Sequence, residues 1–258
     1  MKRVLGHGLK FVAVATLAFV LTPACANNDM SIFIRHVMLP PQSRTNGVCV
    51  YLGDPSLPAL FSGIVDIRGR DTYEARLLVG NQLVGQSDPE LLRAESNRAR
   101  VNGAVVTVTK PNGGFIAEFS SPASGFIDPA GSTIPSFTPI GVNIIDLPTM
   151  RLIATLPSDR RLPTDLPFGE SKLVLANIKV FGQTIGGVDL ESGEFQFPIK
   201  VCNGCLVTFA KGDDPLAAGV DCTLALNDTD TSTLPCEVGQ DESTPCQLCR
   251  GRLACQTF

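Results

Sequence analysis

Apolar and polar residues alternate along much of the chain between residues 31 and 209. In the clearest case, residues 72–79, Tyr73, Ala75, Leu77 and Val79 occupy every second position. A period of two is what a strand with one buried face requires. The pattern predicts about eleven short strands, a number typical of a β-sandwich. They are expected at 31–38, 48–52, 61–67, 72–79, 104–110, 115–119, 141–146, 150–156, 172–181, 195–201 and 206–209.

Glycine and proline mark the predicted boundaries between these strands. The run Lys110-Pro111-Asn112-Gly113-Gly114 predicts a hairpin turn. Two stretches rich in proline and glycine, 121–141 and 157–169, are the best candidates for loops or domain boundaries. The glycine-rich run 181–187 lacks the lysine and helix start of a phosphate-binding loop, so it is predicted to be strand-turn-strand. One helix is expected over 91–98, because Asp88-Pro89-Glu90 resembles an N-cap followed by proline at the first helical position.

These patterns predict an all-β protein. We expect an antiparallel β-sandwich over residues 31–209, followed by a disulfide-stapled, loop-rich, cysteine-rich segment over 210–258. A tether over 25–30 would precede the sandwich, and residues 1–24 have the character of a signal peptide. Lys2, Arg3 and Lys10 lead into an apolar run over 11–21, which is too short to span a bilayer on its own.

The end of the signal permits two cleavages. Leu21-Thr22-Pro23-Ala24-Cys25 resembles a bacterial lipobox, with Thr22 and Pro23 departing from the usual pattern. This resemblance implies that Cys25 becomes the acylated first residue of an outer-membrane lipoprotein. Ala24-Cys25-Ala26 also fits cleavage after Ala26, which would release a soluble periplasmic or secreted protein. We favour lipidation of Cys25, and with it a partnership with the lipid bilayer through an N-terminal acyl anchor.

Composition narrows the possible partners. The formal net charge is −4, and removal of the basic signal makes the mature chain more acidic. Nucleic acid and anionic lipid headgroups are therefore not expected partners. An envelope or extracellular protein is expected instead.

Export also decides how the cysteines are interpreted. Eight remain downstream of Cys25, an even number that permits four disulfides. If all of them pair, Cys49 must reach forward at least to Cys202. Two CxxC motifs, 202–205 and 246–249, could form a zinc site or a redox pair, but an oxidising compartment favours structural disulfides and no metal. The eight residues are Cys49, Cys202, Cys205, Cys222, Cys236, Cys246, Cys249 and Cys255.

Residues suited to catalysis are few. His36 is the single histidine outside the signal, and its position in a predicted strand favours a structural role. The motifs of serine hydrolases and zinc proteases are absent, as is Trp, so sugar stacking is disfavoured. The acidic run 227–232 could bind calcium, but it lacks the glycine and glutamate of a calcium loop. We therefore predict no catalytic residue and no cofactor.

The chain resembles bacterial envelope lipoproteins that have a β-sandwich body and a cysteine-rich end. The resemblance depends on the signal, the context of Cys25 and the run 198–206. It implies no activity. Two hypotheses remain: a non-enzymatic binding or structural module on the cell envelope, and an exported hydrolase that uses carboxylates or bound calcium. A cleft with convergent acidic residues would favour the hydrolase.

Overall fold

A computed structural model of the 258-residue chain describes residues 30–41, 44–45, 48–88, 90, 93–131, 134–154, 166–167, 169–208 and 235–249. The predicted signal, Cys25, Cys222, Cys255, residues 157–165 of the loop predicted at 157–169, and the acidic run 227–232 lie outside the described residues. All the strands and helices below belong to the compact unit that begins at Ser31.

The described part of the chain is rich in strands, as the sequence predicts. The strands are β1 (Ile32–Met38), β2 (Ala59–Leu60), β3 (Gly63–Asp66), β4 (Tyr73–Asn81), β5 (Ala99–Thr109), β6 (Phe115–Ile127), β7 (Ser136–Ile145), β8 (Ser171–Thr184), β9 (Asp189–Glu191), β10 (Phe195–Cys202), β11 (Val207–Thr208) and β12 (Thr244–Pro245). The helices are α1 (Leu147–Ala154) and the single turn α2 (Cys246–Cys249). No helix in the described ranges has the length and apolar character needed to span a membrane.

Two sheets pack face to face and form a β-sandwich. The first sheet has the strand order β2-β1-β4-β7, and its neighbouring strands are antiparallel. The second has the order β3-β10-β8-β5-β6, with β9 added beside β8. Its pairs are antiparallel except β3 and β10, which run parallel. The predicted all-β sandwich is therefore confirmed.

The core lies between the two sheets and is built by alternation. In β8, every second residue from Val174 to Val180 is buried, and β10 contributes Phe197, Ile199 and Val201. From the first sheet, β4 buries every second residue from Tyr73 to Leu77, and β7 does so from Ile140 to Ile144. These side chains form one continuous apolar cluster, which is the main source of free energy for folding.

The predicted hairpin after β5 is confirmed. The Gly113 amide donates to the Lys110 carbonyl at 2.9 Å, and Gly113 has a φ of 83°, a conformation that glycine adopts without strain. The predicted strand-turn-strand at 181–187 is also confirmed by the end of β8, its turn and β9.

The loop predicted at 121–141 is wrong for most of its length, because β6 and β7 occupy it. Pro122 lies in β6 and Pro139 in β7, and each of these strands is at the edge of its sheet. A proline cannot donate to a neighbouring strand, but an edge strand has one side that needs no donor. Proline content therefore indicated loops where the chain forms edge strands.

The predicted strand at 150–156 is wrong in its described residues, 150–154, because the chain forms α1 there. The Asp146 carboxylate accepts a hydrogen bond from the Thr149 amide at 2.9 Å and so caps the helix. Met150, Ile153 and Ala154 are buried at helical spacing, while the intervening Leu152 is exposed.

The predicted helix at 91–98 is wrong in its described residues, 93–98. Asp88 and Arg93 instead exchange backbone hydrogen bonds of 3.0 and 2.8 Å. The Glu95 carboxylate accepts from the amides of Gln86, Ser87 and Asn97. These hydrogen bonds join residues 86–88 to residues 93–95, so the segment forms a folded-back loop instead of a helix.

The strand predicted at 48–52 is also wrong. Apart from a bridge between Thr45 and Val48, these residues pair with no strand among the described residues. Residues 48–53, here called the strap, run past the first sheet: the Gly53 backbone approaches the Phe137 carbonyl of β7, and the Tyr51 ring lies beside Arg76 of β4. The apolar residues that suggested a strand point to solvent: Val48, Val50 and Leu52 are 62%, 46% and 59% exposed.

Candidate functional site

Polar side chains concentrate where residues 235–245, here called the junction segment, meet one end of the sandwich. The segment runs beside β3: the Asp66 amide donates to the Gly239 carbonyl and the Asp241 amide to the Ile64 carbonyl, both at 2.9 Å. At its end, β12 pairs with β11. The junction segment is thus held against the edge of the second sheet by backbone hydrogen bonds.

A disulfide ties the strap to the same segment. Cys49 is bonded to Cys236 across a sequence separation of 187 residues, with the Cα atoms 5.8 Å apart. Cys49 therefore does reach forward beyond Cys202. The Arg44 guanidinium donates from Nη2 to the Pro235 carbonyl, one residue from this bridge.

Asp241 is the polar centre of the junction segment. Its carboxylate accepts from the Ile64 amide and the Tyr73 hydroxyl, each at 2.7 Å, and from the Gln240 side chain at 3.2 Å. Burial raises the pKa of Asp241, although the hydrogen bonds act in the opposite direction. Burial, reinforced by the charge of Asp241, raises the pKa of Tyr73 well above its ordinary value. Tyr73 is therefore a neutral donor at physiological pH.

Four charged side chains form a closed ring of ion pairs beside this centre. Arg70 contacts Glu237 and lies 3.5 Å from Glu74. Arg76 lies 3.0 Å from the other oxygen of Glu74 and 3.6 Å from Glu237. Each side chain is between 18% and 33% exposed, so solvent screens the ring only in part. Two guanidinium groups and two carboxylates balance one another.

Asp66 organises the first CxxC motif. Its fully buried carboxylate accepts from the backbone amides of Arg68, Gly204 and Leu206 at 3.0, 2.8 and 2.9 Å. The loop that it holds contains a disulfide between the buried Cys202 and the exposed Cys205. Two of these donors, the Gly204 and Leu206 amides, belong to the loop and fix it to Asp66.

The same motif and Asp66 together contain three side chains of the types that bind metals. The ligand atoms of Asp66, Cys202 and Cys205 all lie within 4.8 Å of one another. However, the two sulfurs are bonded to each other, and zinc requires thiolates. In the second motif, Cys246 is also disulfide-bonded, and the side chain of Cys249 lies outside the described residues. Cys202 ends a strand and does not begin a helix, so the thiol activation typical of a redox CxxC lacks its usual source.

A pocket of about 370 Å³ opens between the strap and the junction segment. The Arg76 guanidinium lies 5.5 Å from the centre of the Tyr51 ring, within the range of a cation–π interaction. Burial is the main cause that raises the pKa of Tyr51. The lining residues are Arg44, Val48, Cys49, Tyr51, Arg76, Cys236 and Glu237.

His36 lies in β1, apart from the pocket lining. Its ring is half-buried, and its Nε2 atom makes no hydrogen bond within the described part of the chain. Burial, followed by the charge of Arg35, lowers the pKa of His36, so the imidazole is neutral at pH 7. A neutral ring in a strand is in keeping with the structural role expected of it.

The residues that converge here were mostly missed by sequence reasoning. Tyr73 was interpreted as an alternating strand residue, and Arg44 and Arg76 were not singled out. One signal was present: Glu237, Gln240, Asp241 and Glu242 are concentrated between two cysteines. No protein-family model matches the chain, and a search of curated proteins finds no match. Functional inference therefore depends on this geometry.

Proposed function

We propose that the protein is a non-enzymatic binding or structural module exposed on the cell envelope. The N-terminal signal and the lipobox-like context of Cys25 support export and anchoring. The geometry of the junction segment supports a role without catalysis. The partner would be an envelope or extracellular protein or another ligand that the junction segment helps to bind.

The observation that carries this proposal is how fully the convergent carboxylates are engaged. Asp66 and Asp241 each accept three hydrogen bonds from within the chain. Glu74 and Glu237 are bound by Arg70 and Arg76. A general base or nucleophile needs a lone pair directed at substrate, whereas these oxygens hold the protein together.

The exported hydrolase is the alternative, and it keeps one supporting observation. Acidic residues do converge near an open pocket, and the pKa of Asp241 is raised, as in many general acids. Yet the Asp241 carboxylate accepts a hydrogen bond from the fully buried Tyr73, and Asp241 does not line the pocket. The calcium version depends on residues 227–232, which lie outside the described residues.

A turnover assay separates the two hypotheses. Purified protein is incubated with chromogenic esters, phosphate esters and glycosides, with and without calcium. We expect no turnover above background from the wild type, and none from Asp241→Asn or Glu237→Gln. The control variant Asp189→Asn, which changes an exposed carboxylate, should give the same result. Turnover that is lost in a folded Asp241→Asn or Glu237→Gln variant but kept in Asp189→Asn would replace the proposal with the hydrolase.

Envelope anchoring has its own test. Cells are labelled with a clickable fatty acid, and the membrane and soluble fractions are compared. We expect label on the wild type in the membrane fraction, and an unlabelled, soluble Cys25→Ser variant. A wild-type protein without label whose N-terminus maps to Asn27 would show that cleavage follows Ala26 and that the chain has no lipid anchor.

A further inference from the structure

We propose that the pocket between the strap and the junction segment binds a small organic carboxylate, with Arg44 as the principal recognition residue. This inference rests on the proposed binding role and specifies its ligand class. It follows from the charge of Arg44, which no ion pair balances within the described residues, and from the apolar surface beside it.

The arginines at and beside the pocket differ in whether a carboxylate balances their charge. Arg70 and Arg76 are balanced by Glu74 and Glu237 in the ring of ion pairs. Arg44 is different: its guanidinium donates to the Pro235 carbonyl, and it makes no ion pair within the described residues. A half-buried cation without a counter-ion favours an anionic ligand.

Some hydrogen-bond donors of the two guanidinium groups at the pocket have no acceptor among the described residues. The Nε atoms of Arg44 and Arg76 are buried and have no hydrogen-bond partner in the described part of the chain. A guanidinium can only donate, and these Nε atoms are closed to solvent, so an acceptor in the pocket would have to bind the terminal nitrogens of Arg44. The nearby carboxylates are already engaged: Glu237 by the two arginines of the ring, and Glu242 by the Cys236 amide at 2.6 Å.

The pocket also limits how much negative charge it can hold. Glu237, Glu242 and Asp241 are close enough to Tyr51 for their charges to act on its pKa. A ligand that carries two or more negative charges would be repelled by these groups. A monoanion can pair with Arg44 in the planar geometry that guanidinium and carboxylate share.

The remaining wall is apolar and accounts for the organic part of the ligand. Val48, the Cys49–Cys236 disulfide and the Tyr51 ring line it, and they offer no charge. The volume of about 370 Å³ is near the lower end of the range for small-molecule sites, which is roughly 300–1,000 Å³. A compact carboxylate with one ring or a short apolar chain therefore fits better than a polymer.

Calorimetric titration with benzoate tests the inference. We expect saturable binding at one site and at least about tenfold weaker binding to Arg44→Gln, because a charge-assisted hydrogen bond is lost. Arg100→Gln removes an exposed arginine outside the pocket lining and should bind as the wild type does. Tyr51→Leu, which removes the ring, should also weaken binding.

Two further ligands test whether the pocket prefers a singly charged carboxylate. Benzamide has the shape of benzoate without its charge and should bind at least about tenfold more weakly. Inorganic phosphate, which is partly dianionic at pH 7, should also bind more weakly than benzoate. Phosphate that binds more tightly than benzoate, and that loses affinity in Arg44→Gln, would overturn the ligand class.

The inference as a whole fails on either of two results. One is an absence of benzoate binding to the wild type at concentrations up to about 10 mM. The other is equal affinity of the wild type and a folded Arg44→Gln variant. Neither result depends on the turnover assay, so the pocket can fail while the non-enzymatic role stands, and the reverse also holds.

Discussion

The sandwich core and the junction segment are held together by different forces. Between the sheets, side chains such as Val106, Ile178 and Phe197 are buried and apolar, and they make no directional bonds. At the junction, residues 235–245 are bound by backbone hydrogen bonds, ion pairs and a disulfide. Apolar burial tolerates changes that keep volume, whereas each polar contact requires a particular partner. The core therefore accounts for most of the stability, and the junction fixes the position of one segment.

The largest expected effect is in the core. Phe197→Ala should lower the free energy of unfolding by about 3–5 kcal/mol, because it removes a large buried ring and leaves a cavity. Phe61→Ala is the matched control, since Phe61 is 85% exposed, and it should change stability by less than about 0.5 kcal/mol. Equilibrium unfolding in urea measures both. Similar losses in the two variants would show that the apolar core is not the dominant source of stability.

The next effect belongs to the covalent link. Replacing Cys49 and Cys236 together by Ser opens a loop of 187 residues. Chain entropy alone gives about 5 kcal/mol for a loop of that length, and measured losses are typically 2–4 kcal/mol. Replacing Cys202 and Cys205, which are three residues apart, should cost about 2 kcal/mol or less. A larger loss of stability on removing Cys202–Cys205 than on removing Cys49–Cys236 would show that loop length does not determine how much each disulfide stabilises the protein.

Asp241→Asn should cost about 1–3 kcal/mol at pH 5, because one of its three donors loses an acceptor. Hydrogen exchange should increase first in the junction segment and only later in the core strands. Faster exchange in β8 and β10 before residues 235–245 would show that the two regions unfold as one unit.

The same variant has a pH dependence whose direction follows from the raised pKa of Asp241. The folded state keeps the proton of Asp241 to a higher pH than the unfolded chain does. The stabilisation from that proton is complete below the unfolded pKa of about 3.9 and is lost as pH rises through the folded pKa. The stability advantage of wild type over Asp241→Asn should therefore shrink as pH increases from about 4. Thermal melts across this range measure the difference, and an advantage that grows with pH would contradict the raised pKa.

The smallest effect is expected for the ring of ion pairs. Glu237→Gln should cost about 1 kcal/mol, since the ring is partly exposed. The loss should diminish at high salt because added ions screen the wild-type pairs. Asp128→Asn breaks the more exposed pair with Arg98 and should cost less. Denaturant unfolding at low and high salt compares the two. A loss for Glu237→Gln that is independent of salt would point to packing instead of charge.

The sandwich was predictable because alternation records which side of a strand is buried. β8 and β10 follow that rule closely, and β4 follows it from Tyr73 to Leu77. The rule failed at α1, where the cap formed by Asp146 and the buried spacing of Met150 and Ile153 decide the structure. It also failed in the strap, because alternation cannot distinguish apolar residues that face a core from those that face solvent. Val48 and Val50 are of the second kind.

The candidate site was less predictable for a different reason. Asp241 and Tyr73 are separated by 168 positions along the chain, and their contact arises only when the junction segment lies beside β3. No local pattern encodes that approach. Parity of the cysteines did indicate that Cys49 has a distant partner, although it could not identify Cys236. Composition thus predicted a link between the two regions, but not which polar groups it would bring together.

The connectivity of the disulfides has a consequence for biosynthesis. The ribosome makes the chain from its N-terminus, so Cys49 is exposed as a free thiol long before Cys236 exists. Cys202, Cys205 and Cys222 are made in the interval, and each could react with Cys49 first. The spacing of three residues between Cys202 and Cys205 lets these two pair with each other as soon as both have emerged, which removes them from that competition. The short bridge thereby reduces the number of earlier cysteines that compete with Cys236 for Cys49.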